Sequence, residues 1–87
     1  MKYVFNEKNV LSKIENQGVL FDTDNDELYY LNETSLDIIE YIQEQPRTFD
    51  EICDYVSELY EIENSDYKDD INELLTILYE NKFINKL

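Results

Sequence analysis

The chain is poor in the residues that most often carry chemistry or interrupt regular structure. It has no histidine, and only one glycine, one proline, one cysteine and one methionine among 87 residues. With Gly18 alone there is no glycine-rich loop to cradle a phosphate, and Cys53 has no base partner, so catalysis lacks material. A single cysteine also excludes an internal disulfide. Cys53 falls on the apolar stripe of a predicted helix and reads as a small buried hydrophobe. No apolar run is long enough to span a bilayer, and no basic start precedes a greasy stretch with a small-residue cleavage site. The expectation is a cytoplasmic protein with no membrane partner. Bases are scarce as well: 7 Lys and Arg stand against 21 Asp and Glu, for a formal net charge of −14. Nucleic acid would be repelled by most of such a surface, because binding it depends on neutralising phosphates with Lys and Arg.

What remains suits one folded unit. Apolar residues make up 43% of the chain and aromatics 14%, with eight tyrosines. A chain this short supports a single domain, residues 1–87, around one modest core. From Val10 to Leu31 the pattern is a β-meander. "VLSKIE" alternates Val10, Ser12 and Ile14 against Leu11, Lys13 and Glu15, "NQG" at 16–18 supplies turn residues, and "VLFD" is a second short strand. "TDND" at 23–26 turns the chain again before "ELYYL", the third strand. There Leu28 and Tyr30 share one face and Tyr29 and Leu31 the other. Both faces are apolar, so both are expected to meet something.

After Asn32 the period changes from two to that of a helix. Asn32 suits an N-cap, Leu36, Ile38, Ile39, Tyr41 and Ile42 form a wide apolar face, and Pro46 forbids continuation. "TFDE" predicts a second helix through a capping box of Thr48 and Glu51, with a stripe of Phe49, Ile52, Cys53, Val56, Leu59 and Tyr60. Ser65 is expected to cap a longer helix from Asp66 to Asn81 whose inward row is Tyr67, Ile71, Leu74 and Leu78. Phe83 and Ile84 then tuck the tail onto the core. The fold class is α+β: a three-stranded antiparallel meander followed by three helices, in a winged helix-turn-helix-like arrangement. A meander pairs its middle strand twice, which leaves Glu27–Leu31 as an edge with one row of unsatisfied backbone groups.

Two short motifs compete for a chemical role. "TSLDIIE" is similar to the Asp-Ser-Leu stretch of acyl carrier proteins, in which a serine carries phosphopantetheine. Here Thr34 stands where the acid would be and Ser35 sits in a first helical turn, so a capping role is the simpler assignment and the carrier is the alternative. "DTDNDELYYLNE" places Asp22, Asp24, Asp26 and Glu33 as in a calcium loop, but Glu27 replaces the glycine that the sharp turn needs and strands flank it. A hairpin turn accounts for these aspartates. The remaining acids show no spacing that singles out a catalytic pair. The chain reads as a binding module, not an enzyme, with no cofactor and no metal.

"GVLFDTDNDELYYLN" leading into "ETSLDIIEYI", and then "TFDEICDYVSELYEIENSDYKDDINELLTILYENKFI", resembles the PqqD family over about residues 10–84. Its members are RiPP recognition elements, small winged-helix-like domains that hold the leader segment of a ribosomally made precursor peptide while a separate enzyme modifies the core segment. The resemblance implies that a leader pairs with the third strand, Glu27, Leu28, Tyr29, Tyr30 and Leu31, and lies in a groove against the third helix. It also implies a partner enzyme: a radical SAM enzyme, a cyclase or a leader peptidase. By spacing, Lys68, Asn72, Leu75, Tyr79 and Lys82 form one stripe beside the inward row, and this stripe is the expected helical wall. Lys68 and Lys82 are expected to meet acidic groups of the leader. A winged-helix transcriptional regulator would share the fold, but the charge opposes it.

Overall fold

A computed structural model describes all 87 residues, and the meander-then-helices order holds. In chain order the elements are β1 (Tyr3–Phe5), β2 (Asn9–Ile14), β3 (Gln17–Asp22), β4 (Glu27–Leu31), α1 (Glu33–Glu44), α2 (Phe49–Tyr60), α3 (Tyr67–Glu80) and β5 (Ile84–Lys86). The strands β2, β3 and β4 form an antiparallel sheet in that order, so β4 is an edge. Two strands were not anticipated. β1 and β5 pair antiparallel in a sheet of their own, with Tyr3 opposite Lys86 and Phe5 opposite Ile84. Each has three residues, too few for alternation to be counted, and they find each other from opposite ends of the chain.

Local chemistry explains most element boundaries. Asn32 caps α1 as expected, its Oδ1 accepting from the Ser35 N–H at 2.9 Å. At α2 both halves of the capping box are present: Thr48 Oγ1 accepts from the Glu51 N–H, and a Glu51 carboxylate oxygen accepts from the Thr48 N–H. The third cap differs from the expectation. Asp66 occupies the N-cap position without a side-chain bond, and Ser65 offers only its carbonyl, to the Lys68 N–H. An Asn64 side chain that accepts from the Asp66 N–H shapes the approach instead.

The first hairpin is also set differently. Ile14 pairs with Gln17, so the turn is Glu15-Asn16, with Glu15 in the left-handed region at φ 57. Gly18 therefore lies within β3 and not in the turn. It is buried, and a Cβ added there would come within 2.8 Å of Leu36 Cδ1. The glycine lets α1 approach the sheet closely. In the second hairpin the Asp22 carboxylate accepts from the N–H groups of Asp24 and Asn25 and from the Asn25 side chain. Asp22 thus organises the turn with both oxygens committed.

The core lies where α1 crosses between the sheet and the other helices. Leu20 and Leu31 from the sheet, Ile38, Ile39 and Ile42 from α1, Ile52, Cys53 and Val56 from α2, and Ile71, Leu75 and Leu78 from α3 are all buried. Burial pushes the Cys53 thiol above its ordinary range, consistent with packing and not nucleophilicity. Phe83 and Ile84 close the core from the tail. No helix is long and apolar enough to cross a membrane.

Candidate functional site

The margin of β4 is one of the two free edges of the three-stranded sheet, the other being that of β2. A two-residue hairpin closes on a hydrogen-bonded pair, here Ile14 and Gln17, and bonded pairs then alternate along the ladder. Gly18, Leu20 and Asp22 consequently face Leu31, Tyr29 and Glu27. The N–H and C=O groups of Leu28 and Tyr30 point away from the sheet. No other segment pairs with them, because β5 is engaged with β1. The side chains divide as the alternation predicts: Leu31 is buried and Tyr29 half-buried toward the core, while Leu28 and Tyr30 are 54% and 74% exposed.

Tyr29 is held from below. Its ring packs against Phe83 with centroids 5.3 Å apart. Phe83 is placed by the end of α3, where Lys82 takes a left-handed φ of 65 and its carbonyl accepts from the side chains of Asn6 and Asn9. The C-terminus of α3, the β1–β2 connection and the inner face of β4 are thereby tied together.

Where β4 hands over to α1, a cleft of about 360 Å³ opens against α3, lined by Asn32, Thr34, Ser35, Ile38, Asp70, Ile71 and Leu74. The cleft lies at the β4–α1 joint, with Asp70, Ile71 and Leu74 of α3 as its helical wall. The wall of the helix is a different one. Leu75 is 0% exposed, a core residue that no ligand reaches, whereas Leu74 is half-buried and lines the cleft. Tyr79 lies under the Lys86 ammonium, 4.3 Å from its ring centroid, and borders a depression with Lys82 and Asn85 at the β1–β5 end. Lys68 is exposed and does not line the cleft. Asn72 is exposed and does not line the cleft. The expected stripe Lys68, Asn72, Leu75, Tyr79 and Lys82 is therefore on the wrong margin of α3. The physical reason is that the inward face of α3 is shifted toward Leu75: Ile71, Leu75 and Leu78 are buried, with Tyr67 and Leu74 half-buried at its edge.

Ser35 lies in this cleft but is only 8% exposed, and its N–H is committed to the cap of α1. A prosthetic arm needs an accessible hydroxyl, so the residue serves the helix start. Electrostatically the cleft is acidic. Asp70 lines it, no lysine or arginine does, and Glu33 is the acid of the first turn of α1. Nearby, the Tyr60 hydroxyl donates to Asp37. Desolvation, followed by that bond, raises the Tyr60 pKa.

A family model described as coenzyme PQQ synthesis protein D (PqqD) matches residues 17–84, most of the chain. The chain belongs to the PqqD family. The matched span of this PqqD-family protein starts at β3 and contains β4, the joint and all three helices. Its fold is also that of a solved structure, TbiB1 in complex with the TbiA(beta) leader peptide. The TM-score is 0.85 at 17% sequence identity, and 97% of this chain and 96% of that chain are covered. No curated protein matches the chain.

Proposed function

We propose that this PqqD-family protein binds the leader segment of a ribosomally made precursor peptide as an added strand on β4 and presents it to a separate modifying enzyme. The carrying observation is the β4 margin, unpaired at Leu28 and Tyr30, with a cleft lined by Asn32 and Leu74 where the strand hands over to α1. The solved relative of the same fold, which holds a leader peptide, supports the reading.

Energetics say how such a peptide would be held. Each added strand hydrogen bond contributes about 0.5–1.5 kcal/mol net, while ordering the peptide backbone costs about 1–2 kcal/mol per residue. Strand pairing therefore fixes direction and register, and apolar side chains seated in the cleft supply affinity at roughly 1.5–3 kcal/mol for each one fully buried. Leu74, half-buried, offers the apolar contact surface of the cleft, with the core residues Ile38 and Ile71 behind it. Because Asp70 stands there and Lys68 and Lys82 do not, the leader segment that enters the cleft is neutral or carries a Lys or Arg.

The test is an amide hydrogen-exchange measurement on the protein with and without synthetic leader segments of whatever short precursor peptides its gene neighbourhood encodes. Saturable binding with new protection at the Leu28 and Tyr30 amides is the expected result. Binding that protects other amides and leaves these two unchanged would overturn strand addition, and no binding would overturn the function.

A further inference from the structure

The face of the sheet turned away from the helices is unusual for so charged a chain. Val10, Phe21 and Leu28 form one cross-strand row and Ser12, Val19 and Tyr30 the next. Ile14 and Gln17 complete it at the hairpin end. Not one of these positions is charged, although 32% of the chain is Asp, Glu, Lys or Arg. Val10, Ile14, Leu28 and Tyr30 are exposed by 51%, 72%, 54% and 74%. Scattered apolar side chains on a surface need no explanation, but a contiguous uncharged face with an acidic border marks an interaction site. The border is supplied by the turn tips, Glu15 at one end and Asp26 at the other, both exposed, beside Asp24, which pairs with Lys8 at 3.5 Å.

We infer that this face docks the enzyme that modifies the bound peptide, through an apolar patch on that enzyme edged by Lys and Arg. The inference rests on the leader reading of β4. Charge selects the occupant. A second copy would set two molecules of net charge −14 face to face with their acidic tips aligned, a like-charge juxtaposition that disfavours association. A basic-edged partner turns the same border into attraction. A depression of about 460 Å³ between Ile14, Val19 and Tyr30 receives an apolar anchor from the partner, as the centre of an interface commonly does.

The position of this face relative to β4 has a functional consequence. A leader added to β4 becomes the fourth strand of the same sheet, and its outward side chains continue the rows that end at Leu28 and Tyr30. An enzyme seated here touches carrier and peptide together and binds the loaded complex more tightly than the empty one.

The experiment titrates a purified candidate modifying enzyme, chosen from those that the gene neighbourhood encodes, with the full chain, empty and saturated with synthetic leader, at 50 and 300 mM salt. Val10 and Ile14 lie on β2, with β3 between them and the leader edge, so V10S/I14S is the diagnostic variant and Ile14→Ser alone a milder companion. Circular dichroism and leader affinity serve as fold controls. Expected are at least tenfold weaker enzyme binding by V10S/I14S with leader affinity changed less than twofold, weaker wild-type binding at the higher salt, and tighter binding when loaded. Enzyme affinity unmoved by both variants would overturn the docking face whichever way the leader titration falls. Sedimentation showing a dimer that V10S/I14S dissolves would assign the face to a second copy and overturn it too. Failure of wild-type protein to bind leader would instead count against the β4 reading.

Discussion

Gly18 and Leu36 stand so close that a methyl group on the glycine would lie 2.8 Å from the leucine's Cδ1. Leu36 is 2% exposed, so its terminal carbon has little room to retreat. This contact sets the distance between the sheet and α1, and with it the position of the strand-helix joint at Asn32.

Gly18→Ala is accordingly expected to destabilise. Overpacking a filled core costs about 1–3 kcal/mol, and the loss of unfolded-state freedom returns only about 0.4–1 kcal/mol. The net loss of roughly 1 kcal/mol should be visible in denaturant unfolding, and G18V should lose more. Trimming the partner in the double variant G18A/L36V should recover part of it. If G18A were as stable as the parent, the close approach would have no energetic meaning.

Leu74 and Leu75 separate stability from binding. Leu75→Ala removes a fully buried side chain and should cost about 2–5 kcal/mol. Leu74→Ala, at the margin of the core, should cost clearly less in unfolding experiments while weakening leader binding at least fivefold. Equal stability losses, or an unaltered leader affinity for L74A, would place the helical wall elsewhere.

Much of this fold was legible in the sequence, for reasons that differ by residue. Asn32, Thr48 and Glu51 act over three positions of the chain, so their caps could be read from spacing, and the alternation of "ELYYL" revealed an edge strand with two apolar faces. The leucine pair at 74 and 75 could not be resolved, because either residue fits a helical period and only the partners packed on α3 decide which one enters the core. Gly18 looked like a turn residue by composition, yet its use depends on Leu36 arriving from eighteen positions away. β1 and β5 left no local signal at all. Ser65 stood as the expected cap of α3, but its side chain makes no cap bond, and Asn64 shapes the approach by accepting from the Asp66 N–H.

Acid and alkaline unfolding should have identifiable sources. The Asp22 carboxyl is held below its ordinary value of 3.8 chiefly by the Asn25 side-chain bond, and Glu51 below 4.5 chiefly by the Thr48 backbone bond. Both groups bind protons more weakly folded than unfolded, so their stabilisation is present above those ordinary values and is lost as pH falls through the lowered ones. Burial raises Tyr55 and Tyr60 above 10.0. Their contribution is complete below pH 10 and lost as pH rises toward the raised values. Thermal unfolding from pH 2 to 11 should show both limbs. E51Q should flatten the acid limb and Y60F the alkaline one, and limbs unchanged by these substitutions would refute the assignment.

Backbone and side chain at Tyr30 can be tested apart. Its N–H faces the open margin, so Tyr30→Pro deletes a donor that no β3 residue uses, and proline is tolerated on an edge strand when its nitrogen faces outward. Tyr30→Ala keeps that N–H and removes the exposed ring. Strand addition needs the donor, so Y30P should weaken leader binding at least tenfold while Y30A weakens it severalfold less, with both proteins unfolding cooperatively. If the alanine variant lost as much affinity as the proline one, the ring would be the recognised group and backbone pairing at this margin would be excluded. The two variants thus distinguish a strand-addition site from an apolar patch that merely lies beside one.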